Sequence, residues 1–348
     1  MKRINKVYIM CIYQKTGGPE SLHQLAASLR RQGVDAYICY FTKETECLYE
    51  KYSNYVKIAN EPEDSNENII IVPEIHIDVL KKYNYLKKVV CWLSWDFYEI
   101  YTLSYQSERW ARKGIMPRVR KVLKPFYILL KKLLNMRYNP EPKELYNNEI
   151  LHLYNCEYVL NKLLEKGITV KDRTIYYCGP IDESYIFVDK NAIISSKENI
   201  IAYNPKKANH VFIDRVIEAV NKIDSSVKFV RIENMTLEKV RENLCKAKVY
   251  MDFGCFPGPE RIPREAVSLY CNLITSTLGA AENDIDVPIP KQFKFNTECE
   301  QFDMIAQTII MLMKSYKENI SQYDTYRKKV KEQFDDLDQE VIEIIKKQ

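Results

Sequence analysis

The apolar positions of this chain switch between two periods. Residues 7–13 form a short β-rich run, Thr16-Gly17-Gly18-Pro19-Glu20 breaks it, and Leu22, Leu25, Ala26 and Leu29 then recur at helical spacing until Gly33 stops them. This is strand, glycine turn, helix. Further strands are expected at 34–41, 68–72 and 88–93, with a helical stretch at 77–83 between the last two. A long helical stretch over 105–136, punctuated by Gly114, Pro117 and Pro125, interrupts the rhythm and reads as an insertion. Alternation resumes with a strand at 150–153, a helix at 158–166 closed by Gly167, and a strand at 173–178 ended by Gly179-Pro180. The charged, irregular segment 181–197 is the linker candidate.

A second series follows, with strands at 199–203, 227–232, 249–253 and 272–275 alternating with helices at 211–223, 237–246 and 263–270. Two helical stretches, 298–314 and 321–347, finish the chain. Strands that alternate with helices predict parallel sheets covered on both faces, an α/β architecture present twice. The length of 348 residues agrees, because a single core seldom grows that far.

Composition narrows the class. With 46% hydrophobic residues and 26 Tyr, the chain has the material for two cores. Its ten Cys are scattered without a C-x-x-C pair, several inside apolar runs, and its four His are isolated. They read as buried hydrophobes in a reducing cytoplasm, with no zinc site, and no metal or other cofactor is expected. The N-terminal run is too short for a signal peptide or a membrane span. Net charge is only +5, yet Arg109 to Arg137 holds ten Lys or Arg and no Asp or Glu. There Lys121, Lys124, Lys131 and Lys132 interleave with Val122, Leu123, Phe126, Tyr127, Leu129, Leu130, Leu133 and Leu134, the composition of a helix lying on an anionic membrane surface. An ordinary core-facing helix with a basic outer face has the same composition. No nucleic-acid-binding module accompanies the patch.

In open parallel sheets, ligands bind beyond the carboxyl ends of the strands. Residues following the expected strands are therefore the candidates: Gly17 and Gly18, Glu74 and His76, and Asp96 in the first half, then Asn204, Lys206 and Lys207, and the turn 254–265 in the second. Gly17-Gly18 lets a ligand approach the backbone at a helix N-terminus, though the pair also suits a plain tight turn. The richest segment is Asp252-Phe253-Gly254-Cys255-Phe256-Pro257-Gly258-Pro259-Glu260-Arg261-Ile262-Pro263-Arg264-Glu265-Ala266. There a strand ends in a Gly/Pro turn and a helix begins with Pro263 near its first position, gathering Arg261, Arg264 and Glu265 around its N-terminus. Guanidiniums at a helix N-terminus suit a diphosphate, and a carboxylate there suits ribose hydroxyls. Surface pairing of Arg264 with Glu265 is the alternative.

Pro263-Arg264-Glu265-Ala266, through Cys271-Asn272-Leu273-Ile274-Thr275 to Gly279-Ala280-Ala281-Glu282-Asn283, resembles the donor-site block of bacterial GT-B glycosyltransferases of the glycogen-synthase-like group, also described as glycosyltransferase group 1 or family 4-like. Thr16-Gly17-Gly18-Pro19-Glu20 is similar to their acceptor loop, and Tyr203-Asn204-Pro205-Lys206-Lys207 stands where their phosphate-binding basic residues follow a strand. The resemblance implies two Rossmann-like domains facing a cleft. Residues 1–190 would bind the acceptor and carry the basic insertion at 105–137, residues 191–316 would bind the donor, and 317–348 would be a C-terminal helix packing back on the N-terminal domain. It also implies an enzyme that moves a sugar from a nucleoside-diphosphate sugar to a glycan or lipid-linked acceptor without a metal, in bacterial surface polysaccharide or glycoconjugate synthesis; the cysteines and the basic stretch place it in the cytoplasm, peripheral at the inner face of the membrane.

By the same resemblance Glu265 contacts the ribose, and Lys206, Lys207 and Arg264 the diphosphate, though Lys206 and Lys207 also read as solvated surface; Arg261 joins them only through its place at the helix N-terminus. Pro257 stands where the group has its other glutamate, eight residues before Glu265, so that partner's role does not carry over and the anomeric outcome stays open. For the catalytic base Asp96 is first choice, with Glu74 and His76 behind it; each also reads as a cap or a satisfied core group. His23 reads as structural. The D-x-D patterns at Asp284-Ile285-Asp286 and Asp336-Leu337-Asp338 are set aside as weak metal signals. Two rivals remain: a catalytically silent GT-B-like module, which binds nucleotide without turnover, and a double-Rossmann nucleotide-sugar epimerase, which forms product without an acceptor.

Overall fold

The computed structural model describes residues 4–112, 116–134, 136–206 and 208–348. Gly114 and Lys207, both singled out from the sequence, lie outside them. The chain divides into two compact units. The first comprises Met1–Asn155, Val159–Gly179 and Leu337–Gln348, the second Cys156–Tyr158 and Pro180–Asp336.

In the first unit the elements run β1 (Lys6–Cys11), α1 (Gly17–Arg31), β2 (Ala36–Tyr40), β3 (Lys57–Ile58), β4 (Asn68–Pro73), β5 (Lys87–Trp92), α2 (Trp95–Ile100), α3 (Leu103–Arg112), α4 (Pro117–Leu133), α5 (Pro142–Leu145), β6 (Leu151–Tyr154), α6 (Glu157–Glu165) and β7 (Thr174–Tyr176). The strands pair in the order β3-β2-β1-β4-β5-β6-β7, all parallel. A central parallel strand is covered on both faces, which is why β4 reads Asn-Ile-Ile-Ile-Val-Pro and is buried along its whole length. Val7, Ile9, Leu25, Leu29, Ile38, Ile69 and Ile71 lie in the core on one side of the sheet.

The second unit runs α7 (Glu183–Ile186), α8 (Lys190–Ser195), β8 (Glu198–Tyr203), α9 (His210–Ile223), β9 (Lys228–Arg231), α10 (Leu237–Lys246), β10 (Ala247–Asp252), α11 (Arg261–Ser268), β11 (Asn272–Ser276), β12 (Lys294–Phe295), α12 (Phe302–Lys314), α13 (Tyr316–Asn319) and α14 (Asp324–Asp335). Its sheet is parallel in the order β12-β11-β10-β8-β9. The final helix, α15 (Leu337–Lys347), returns to the first unit. There Val341 and Ile344 join the core beside Leu25 and Leu29, and Asp338 accepts from Ser28 Oγ and pairs with Arg31, each at 2.6 Å.

Several details differ from the sequence pattern, each for a local reason. The chain changes unit at Gly179-Pro180, not near residue 190. Gly179 lies so close to α1 that a Cβ would sit 2.4 Å from Ser21 Oγ and 2.6 Å from Gln24 Oε1. The segment 181–197 is not irregular: Asp182 and Asp189 cap α7 and α8 by accepting backbone N–H groups from Ser184, and from Asn191 and Ala192. The single helix expected at 321–347 breaks at Asp336, where Asp335 and Asp336 oppose the dipole at the end of α14 while Asp338 favours a fresh N-terminus. The apolar stretch 77–83 lies, up to Lys82, in a 3-10 helix, Glu74–Lys82, interrupted at His76. Edge strands β3 and β12 have two residues each, too few to show a period. Among the described residues, no helix is long and apolar enough to cross a membrane.

Candidate functional site

Strand order locates the candidate sites. In the second unit β8 pairs with β9 on one side and β10 on the other, so the order reverses between β8 and β10, the position at which open parallel sheets bind ligands beyond the strand ends. Tyr203 is in register with Met251, so Asn204 and Asp252 leave neighbouring strands side by side. Asn204 is nearly buried, and its Oδ1 accepts the N–H of Lys206 at 3.0 Å, bending the chain and leaving the Lys206 side chain exposed.

Asp252 organises the other wall. It is buried, its Oδ1 takes the N–H of Gly254 at 3.1 Å, and Tyr250 donates its hydroxyl to Oδ2 at 3.1 Å. The turn that follows is clamped to the one after β11. Phe256 N–H donates to Leu278 O at 3.1 Å, Ala280 N–H to Phe256 O at 2.8 Å, and Ser276 Oγ to Gly254 O at 2.6 Å. The backbone of Gly279 (φ +66°) lies so close that a Cβ would stand 2.2 Å from Phe256 O.

From this clamped turn α11 begins at Arg261, two residues before the Pro263 start expected from sequence. Its N-cap residue, Glu260, makes no side-chain cap. Glu265 is 2% exposed and accepts from Arg261 Nε at 2.7 Å, one helical turn away. The Arg261 side chain keeps 26% of its surface. Arg264 is 6% exposed, and its guanidinium donates to Gln333 Oε1 on α14 at 3.0 Å and to the carbonyls of Glu260 and Pro259. These bonds make it a tie between α11 and α14. Burial, with Asp252 next in effect, holds the Tyr250 hydroxyl far above its ordinary pKa, so it stays a neutral donor. Tyr250 and Gln333 were not singled out from sequence, and Asp252 stood there only as the first residue of the Gly/Pro turn segment. A polar residue closing a buried strand was a signal for Asp252, whereas nothing local pointed to Gln333, 69 residues from Arg264.

In the first unit the order reverses between β1 and β4. The chain leaving β1 is exposed from Tyr13 to Gly17. A Cβ at Gly17 would meet nothing within 4 Å, whereas one at Gly18 would come 3.3 Å from Leu93 Cδ1. Glu74 follows β4 directly. It is buried, accepts the Leu93 N–H at 3.0 Å, and burial pushes its pKa up to about 8, so the carboxyl is largely protonated at neutral pH. His76 is also buried, stacked on Phe41 with ring centroids 3.8 Å apart. Burial, with the positive charge of Arg137, lowers its pKa to about 3, so it is a neutral ring of weak basicity. Asp96 is half-exposed in the first turn of α2, where Ser94 caps by accepting the Phe97 N–H at 3.2 Å. His23 is a core group, hydrogen-bonded to Pro19 O at 2.7 Å and Tyr40 Oη at 2.6 Å.

Three of the D-x-D carboxylates are engaged within the protein: Asp284 pairs with Lys294 at 2.9 Å, Asp286 accepts from the N–H groups of Glu157 and Tyr158, and Asp338 pairs with Arg31, while Asp336 follows the last residue of α14. No cluster of three or more His, Cys, Asp or Glu that could hold a metal occurs among the described residues.

No protein-family model matches the sequence, and no curated protein sequence matches it. Solved structures do resemble it over nearly the whole chain. HepE of Anabaena, in a complex with UDP-glucose, aligns with a TM-score of 0.60 at 12% identity, over 99% of this chain and 100% of that chain. Sucrose-phosphate synthase from Thermosynechococcus elongatus aligns with a TM-score of 0.60 at 10% identity, over 98% of each chain. A glycosyltransferase from Rickettsia africae aligns with a TM-score of 0.54 at 12% identity, over 98% of this chain and 97% of that one. Likeness at so low an identity speaks for architecture, and with two parallel sheets in the observed strand orders it shows that this chain has the GT-B fold of glycosyltransferases.

Proposed function

We propose that this protein is a glycosyltransferase that moves a sugar from a nucleoside-diphosphate sugar onto a glycan or lipid-linked acceptor, in the assembly of a bacterial surface polysaccharide or glycoconjugate. The observation that carries the reading is the second unit's switch point. There a buried carboxylate, Glu265, held by Arg261, stands in the first turns of a helix that opens from a turn clamped by Asp252, Ser276 and Gly279. In this reading Glu265 accepts from ribose hydroxyls. The first amides of α11, with Arg261, Lys206 and Asn204, receive the diphosphate, and Lys207 stays assigned beside them by sequence. Arg264 ties α11 to α14 beside this site.

The chemistry proposed is substitution at the anomeric carbon. The bond from that carbon to the diphosphate oxygen breaks, the acceptor oxygen forms the new bond, and the acceptor's proton passes to a base. Charge accumulates on the departing nucleoside diphosphate, where helix amides and cationic side chains stabilise it without a metal. Asp96 is the proposed base, because it is the surface carboxylate of the three candidates, whereas Glu74 is protonated at neutral pH and His76 is a weak base. Gly17 and Gly18 form the proposed acceptor loop.

HepE has been solved with UDP-glucose and with UDP, so uracil nucleotides head the panel of ligands. The test is a thermal-shift screen with UDP, GDP, dTDP, CMP, their sugars, NAD and S-adenosylmethionine. A nucleotide at about a hundred times its dissociation constant adds roughly 2.7 kcal/mol of stability. A response to one nucleoside diphosphate and its sugar supports the reading; a response to NAD or S-adenosylmethionine alone overturns it. Pro257, in place of the group's other glutamate, favours a second reading as a silent binding module. Donor binding with no sugar released or transferred across a set of acceptors selects that reading.

A further inference from the structure

We propose that the α3–α4 hairpin docks this protein on an anionic lipid surface, with α4 lying flat and its apolar stripe among the acyl chains. The inference stands on the hairpin alone and does not depend on the donor site. α4 packs on α3 through a polar and aromatic face. Tyr127 stacks on Trp110 with centroids 4.8 Å apart, Lys124 pairs with Glu108 at 2.8 Å, Lys131 donates to Gln106 Oε1, and Arg120 lies over the Trp110 ring.

The apolar residues point the other way. Val119, Val122, Leu123, Phe126, Leu129, Leu130 and Leu133 are 45–79% exposed, with Val122 the most open and Leu130 the least. At 3.6 residues per turn these seven fall within one arc of about 120°. A helix of a water-soluble protein ordinarily buries such a stripe, and this one is turned outward.

Charge identifies the occupant. Arg118, Lys121 and Lys132 are exposed along one border of the stripe, and the sequence from Arg109 to Arg137 carries no acid to neutralise them. An apolar stripe edged by cations matches an interface whose interior is hydrocarbon and whose headgroups are anionic, with the long side chains reaching back to the phosphates. A second copy of the same face would set these cations against one another.

The full chain is mixed with phosphatidylcholine vesicles, with and without phosphatidylglycerol, and sedimented. It is expected to pellet with the anionic vesicles, far less with the neutral ones, and less at high salt. Val122→Ser with Phe126→Ser removes two of the most exposed apolar groups and is expected to weaken pelleting by more than about tenfold. Lys121→Glu with Lys132→Glu is expected to abolish the preference for phosphatidylglycerol. All four positions are exposed, so the melting temperature should hold. Absence of pelleting, indifference to headgroup charge, or equal pelleting of the Ser variant overturns the proposal. So does a concentration-dependent dimer that the Ser variant abolishes in the absence of vesicle binding, which would make the occupant a second copy.

Discussion

Glu74 shows how a single residue's surroundings decide what it does. Its carboxyl pKa lies near 8 because the group is buried, above the ordinary carboxylate value of 4.5. The folded state therefore holds a proton that the unfolded chain releases, so this contribution to stability is full below about pH 4.5 and is lost as pH rises through 8. His76 and His152 act in the opposite direction: burial lowers both to about 3, so their contribution is present above 6.5 and is lost toward 3. Their share cancels when the native chain is compared with Glu74→Gln, since both carry the same histidines. Urea titrations from pH 6.5 to 8 should show the native chain losing roughly 1 kcal/mol per pH unit relative to Glu74→Gln, which keeps an acceptor for Leu93. Equal slopes in the two would place the ionisation elsewhere. At Gly279, positive φ combines with the nearness of Phe256 O, so Gly279→Ala should cost roughly 2–4 kcal/mol and weaken nucleotide binding with it, measurable by denaturation and titration. Sequence made Glu74, Arg264 and Glu265 visible as charges near strand ends. It left open which of them would be buried, because Leu93, Gln333 and Arg261 supply that answer from other elements or from the next helical turn.

At the scale of elements, the long buried strands announced themselves as apolar runs, and α9 and α10 by helical spacing behind an Asn or Thr cap. What the pattern left out was short or capped from within: β3, β12, α7 and α8. The last helical stretch was legible as helix but not as two helices in different units, since α14 and α15 share one amphipathic pattern and only the acids around Asp336 mark the break. α15 contributes Val341 and Ile344, both fully buried, to the first unit's core. Val341→Ala should therefore cost roughly 2 kcal/mol, read as a lower urea midpoint. An unaltered midpoint would mean that α15 is peripheral to that core.

At the scale of the whole molecule, two sheets built from alternating strands and helices followed from the order of elements along the chain, and the switch points followed from strand pairing. The boundary moved to Gly179 because packing against α1, rather than composition, ends the first unit. The proposed nucleoside-diphosphate site at the second unit's switch point rests on Glu265, Arg261 and the opening turn of α11. It is tested by calorimetric titration of UDP into the full chain and into Glu265→Gln, with the variant's fold checked by its melting curve because Arg261 loses a charged partner. Saturable binding to the native chain is expected, with at least about tenfold weaker binding to the folded variant, the loss of one charge-assisted hydrogen-bonded contact. Equal affinity in both would contradict it.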